Sequence, residues 1–98
     1  MNSPASLTEL KRTAAEHGRR NLLRIELMIH DLSLHAAELE DVIAAEEARV
    51  GNFDPNHFAY PCYAKAAAQR RDNLRSTIED LKKQLLNYVP TAQDALPN

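Results

Sequence analysis

The sequence predicts an all-α fold, a two-helix antiparallel coiled-coil hairpin with helix one longer than helix two. Three observations carry that prediction. Apolar residues recur at alternating intervals of three and four along two long stretches, the spacing of a coiled-coil seam. Between the stretches lies one short segment, residues 51–60, which holds Gly51, Asn52 and Pro55 as turn formers. The 98 residues include 2 Gly, no Trp and only 5% aromatics, whereas sheets favour aromatic and β-branched side chains and tight hairpins favour glycine.

Helix one is expected from about 7 to 50. Ser6, followed three residues later by Glu9, reads as a capping box in which each side chain satisfies a free backbone donor of the other. The seam then runs Leu22, Ile25, Ile29, Leu32, Ala36, Leu39, Ile43, Glu46, Val50, with no proline between Pro4 and Pro55. Gly51 enters the left-handed C-cap conformation without steric penalty and so closes the helix. At 1.5 Å per residue such a rod is about 65 Å long. In the tip, 51–60, Asp54 stands before Pro55 as a cap on a single turn. Pro61 is tolerated in the first turn of helix two, which is expected over 61–89 with the seam Ala64, Ala67, Arg71, Leu74, Ile78, Leu81, Leu85, Tyr88. Pro90 is expected to end it, so that 1–90 is one helical hairpin and 91–98 a disordered tail.

The charged member of each seam suggests how the helices align. Setting Glu46 opposite Arg71 also sets Ile43 against Leu74, Leu39 against Ile78 and Ile29 against Tyr88, so every layer is matched. A second alignment, centred on Pro55, sets Arg71 against Leu39 and Glu46 against Ala64. The first is the expectation, because an isolated charge in an apolar layer costs more than an asymmetric loop. In both, helix two falls short of the stretch from Leu7 to Asn21, and at the farthest to Met28. Gly18 within that stretch is expected to bend or fray the helix. Leu23, Leu27, Met28, Leu34 and Val42 fall outside the seam, an apolar band too wide for one neighbour. Its second neighbour is either another copy of the chain, giving a homo-oligomer, or a different protein.

Charge narrows the partners. Twelve Lys and Arg against 14 Asp and Glu give a net charge of −2, which does not suit a general nucleic-acid binder. The charges are nevertheless segregated: Arg12, Arg19, Arg20 and Arg24 sit in the overhang, acids crowd the second half of helix one, and helix two is basic again. Mutual neutralisation of the acidic half by helix two accounts for most of this pattern. The overhang's arginines, with Leu23 and Leu27, are candidates for docking on an acidic protein surface. The tip supplies a second candidate set, Phe53, Phe58, Tyr60 and Tyr63, four of the five aromatics, divided between anchoring a partner and closing the hairpin.

Chemistry finds no foothold. Cys62, the single cysteine, excludes a disulfide framework and is read as a packing residue in a reducing compartment. His30 and His35 are five residues apart, about 140° around a helix, too divergent to share a metal. With glycines only at 18 and 51 no phosphate-cradling loop exists. No catalytic, cofactor or metal residues are assigned, and no enzyme is expected. Nor is there a run of 18 apolar residues, so no membrane insertion is expected.

Three segments carry a resemblance: SLTELKR at 6–12, AAELEDVIAAEEARVG at 36–51, and DPNHFAYPCYAKAAAQRRDNLRSTIEDLKKQL at 54–85. Over roughly Ser6 to Leu86 the chain resembles the flagellar export protein FliJ family in its alphaproteobacterial form. The resemblance implies a small cytoplasmic component of the flagellar type III export apparatus, peripheral to the membrane through that apparatus. Its coiled coil would resemble a rotary stalk, seated in the export ATPase and contacting the export gate and substrate chaperones. Members of the family usually continue helix two for several tens of residues, so the chain resembles a C-terminally shortened member. Two other expectations stand beside this one: a helical-hairpin regulator that enters RNA polymerase, and a self-associating architectural coiled coil.

Overall fold

A computed structural model of the chain describes residues 4–94, with side chains over 7–87. Two helices, α1 (Pro4–Val50) and α2 (Cys62–Asp94), pack against each other as a hairpin with α1 the longer. The body measures 73 × 21 × 18 Å and has a radius of gyration of 21.8 Å, against about 13 Å for a globule of this length.

Both helices run farther outward than their sequence signals suggest. The described α1 begins at Pro4, whose locked φ suits a first turn. The Ser6 side chain itself is outside the described residues. α1 then passes unbroken through Gly18. α2 likewise passes Pro90 and continues to Asp94. Proline forfeits one backbone donor, but its φ is itself helical, so the chain need not leave the helix there. Residues 95–98 of the expected tail lie outside the described residues.

The inner ends are capped as the residue types demand. Gly51 takes φ 74°, and the Glu47 carbonyl accepts the N–H groups of both Gly51 (2.8 Å) and Asn52 (3.2 Å). At the other side of the tip the Pro61 carbonyl accepts the Lys65 N–H at 3.1 Å, which opens α2. The core between the helices is thin, with alanines set among isoleucines and a leucine. Ile25, Ala36 and Ile43 of α1 are buried, as are Ala64, Ala67, Ile78 and Leu81 of α2. Ala64, at 0% exposure, packs in one cluster with Ile43, Tyr60 and Ala67. Alanine at these positions lets the backbones approach closely beside the turn.

The register is the one centred on Pro55, not the expected one. Arg71 donates to Glu40 at 2.7 Å, and Arg75 donates to the same carboxylate at 2.8 Å. Glu46 instead pairs along its own helix with Arg49 at 2.7 Å. The expectation failed because it treated Arg71 as a charge trapped in an apolar layer. Its apolar stem covers the seam while the guanidinium reaches the flanking Glu40, so no charge is stranded.

This register, with the longer α2, also shortens the overhang. Ile25 is buried and Leu22 and Ile29 half-buried, so the seam from Asn21 to Met28 is covered, contrary to the widest expectation. By the same register Asp94 stands level with about residue 17. What projects is the first part of α1, where Leu7 and Leu10 remain exposed.

The two glycines are expected to respond oppositely to alanine. A Cβ at Gly18 would meet nothing within 4 Å on a helical backbone, so Gly18→Ala should raise stability by about 1 kcal/mol. At Gly51 the positive φ makes a side chain strained, and Gly51→Ala should lower stability by roughly 1–2 kcal/mol. Urea unfolding followed by helical circular dichroism measures both changes.

Candidate functional site

The tip is rigid because its short polar side chains satisfy the backbone groups that leave the helices. Asn52 Oδ1 accepts the Asp54 N–H at 3.0 Å, and Asp54 Oδ1 accepts the Asn56 N–H at 3.0 Å. The Asp54 carbonyl then accepts the His57 N–H at 3.0 Å, and the His57 carbonyl accepts the Tyr60 N–H at 3.1 Å. Two turns thus follow one another without a glycine between them.

His57 organises this loop, a role that its isolation in the sequence concealed. Its Nδ1 accepts the Ala59 N–H at 3.0 Å and lies 3.1 Å from the Asn52 amide nitrogen. A backbone donor on Nδ1 assigns the ring proton to Nε2. The imidazole also stacks on Phe58, ring centres 4.6 Å apart and planes 26° from parallel. The only sequence signal for this arrangement was the crowding of Asn52, Asp54 and Asn56 around one histidine.

The four tip aromatics divide. Tyr60 turns inward, is buried, and donates its hydroxyl to Glu47 Oε2 at 2.9 Å. It joins the core cluster and ties the start of α2 to the end of α1, so it is a structural ring. Phe53 and Tyr63 are largely exposed, and Phe58 is 96% exposed. Those three, with the exposed Val50, form an apolar end to the rod. Beside them a shallow groove is lined by Val50, Asn52, Phe53, Asp54, His57 and Ala59.

The second set of candidates lies along α1. Arg12, Arg19, Arg20 and Arg24 are all exposed, and among the described residues none forms an ion pair. Leu23 and Leu27 are more than half exposed and turn away from α2. The structure therefore does not bring the two sets together. One occupies the closed end of the hairpin and the other the helix flank toward the open end.

Electrostatics at the hinge side of the rod follow from its pairs. A hydrogen bond from Arg49 holds the Glu46 carboxyl below its usual range. Burial works to lower the Arg71 guanidinium, but its hydrogen bonds to Asp72 and Glu40 outweigh that and raise it. Acids of α1 are thus partly neutralised by α2, through Glu40. On α2 itself Glu79 pairs with Lys82 at 3.7 Å. Among the described residues no three His, Cys, Asp or Glu side chains converge on a metal position, and no helix is long and apolar enough to cross a membrane. Cys62 is exposed at the start of α2 and is not a packing residue.

An elongated two-helix hairpin with a bare aromatic tip defines the class of molecule. Compared with protein-family models, with curated proteins and with solved structures, the chain matches none.

Tyr60 offers a spectroscopic test of the tip. Burial first, and then the hydrogen bond to Glu47, push its phenol above the ordinary value of 10.0. Because the folded state favours the neutral phenol, its contribution is present below the ordinary value and is lost as pH rises through the folded one. Ultraviolet titration of the three tyrosines should show one late ionisation that Tyr60→Phe abolishes and Tyr63→Phe leaves in place.

Proposed function

We propose that the chain is a non-enzymatic protein-binding component of the flagellar type III export apparatus, of the coiled-coil stalk or chaperone-escort kind. The observation that carries the reading is Phe58, 96% exposed on a loop fixed by its own hydrogen bonds. A large ring kept in water is unfavourable to the isolated chain, and a rigid mount means little ordering entropy is lost when a partner covers it. Phe53 and Tyr63 widen the anchor, and the groove beside Asn52 and His57 accepts a side chain of the partner. The rod behind the tip acts as a spacer, holding the anchor well away from the basic flank of α1.

The export ATPase and the export gate are the partners this reading names. Their identity rests on the resemblance of residues 6–12, 36–51 and 54–85 to the FliJ family. The chain would then work in the cytoplasm, held near the membrane only through the apparatus. Arg12 and Arg24, exposed and unpaired on α1, suit an acidic surface on one of these proteins, and such a contact weakens as salt rises.

Pull-down with purified export ATPase and with the soluble part of the gate tests the reading. The wild-type chain should bind at least one of them, and Phe58→Ser should weaken that binding by about tenfold or more while leaving helicity unchanged. Binding to neither by the wild-type chain would remove the flagellar role.

A further inference from the structure

α1 is apolar on two opposite faces, and α2 covers only one. Ile25, Ala36 and Ile43 are buried against α2, whereas Leu23, Leu27 and Leu34 are each more than half exposed. At about 100° per residue those three leucines fall within roughly 40° of one another, about 180° from Ile25 and Ile43. Their intervals of four and seven are those of a second seam. The same face is charged in halves, with Arg12, Arg19 and Arg20 outweighing Glu9 and Glu16 before the leucines and Glu38 and Asp41 standing after them. The arginines make no ion pair among the described residues, and neither does Asp41; Glu38 has only a 3.7 Å contact with His35.

We infer that this face binds a second copy of the chain, antiparallel, α1 against α1. Charge order selects both the partner and its direction. A parallel copy would set Arg19 and Arg20 on their own counterparts and Glu38 on Glu38. Reversed, with the crossing centred near His30, Arg19 and Arg20 of each copy lie beside Glu38 and Asp41 of the other, and Leu23 and Leu27 lie beside Leu34. A foreign helix would need base, leucine and acid in this same order and spacing; α1 already carries it. The symmetry is that of a two-fold interface, in which each contact occurs twice. Because α2 lies on the far side of each α1, the product is a flat row of four helices with the two aromatic tips at opposite ends. This inference goes beyond the export reading and does not depend on it.

Sedimentation equilibrium of the full chain alone tests it. The wild type should be a monomer–dimer system, and Leu27→Asp should weaken the dimer by roughly 30-fold or more, since a leucine is lost and a charge buried in both halves. Helicity should persist, as Leu27 is more than half exposed on the face opposite Ile25 and Ile43. Two charge-reversed chains supply the specific readout: Arg19→Glu with Arg20→Glu, and Glu38→Lys with Asp41→Lys. Each alone should be monomeric, and the two mixed should form a heterodimer. A wild type that stays monomeric at millimolar concentration overturns the inference. So does a dimer that survives Leu27→Asp but is lost in Leu10→Asp, or a failure of the two charge-reversed chains to pair.

Discussion

In a hairpin of two helices the quantity on which everything else rests is the axial register, and here it is set beside the turn. Ala64 has no exposed surface and sits against Ile43, while Tyr60 reaches back to Glu47. Small side chains at this end allow close approach, and a slip of one layer would push larger groups into the same space. Farther along, the interface alternates buried Ile25, Ala36, Ile78 and Leu81 with half-buried leucines and the Glu40 bridge to Arg71 and Arg75. Those ion pairs follow the register and do not create it, since partly exposed pairs contribute little on their own.

Fixing the register at the tip also fixes what the tip displays. The turn must span from Val50 to Cys62 with a set separation, and Asn52, Asp54 and His57 fold it down onto its own backbone. Once Tyr60 is turned inward as the lock, Phe58 has no inner site left and stands in solvent. Order in the core and exposure at the end are therefore one arrangement seen from two sides. The same holds for α1, where the seam given to α2 leaves the Leu23–Leu34 face uncovered.

Much of this was legible in the residues and some was not, for reasons that can be named. Two helices and their break were readable because the alternation of three and four from Leu22 to Val50, and from Ala64 to Tyr88, admits no other regular structure. The register was misread because a one-letter pattern records that Arg71 is charged but not that its stem is long enough to leave the layer. The end of α2 was misplaced because a proline's effect depends on the turns around it. At the tip the aromatic cluster was visible, but not which ring would turn inward. That choice is made by backbone geometry, which also gathers Asn52, His57 and Ala59 around one nitrogen, and no local spacing encodes it.

The slenderness of the molecule has a consequence of its own. A globule of this length would be about 33 Å across, taking a sphere of the usual radius of gyration, whereas this body is 21 × 18 Å in section and 73 Å long. End-on, it can thread an aperture that would stop a sphere of equal mass. Its leading point would then be an aromatic ring, so the side chain least at ease in water is also the first to arrive.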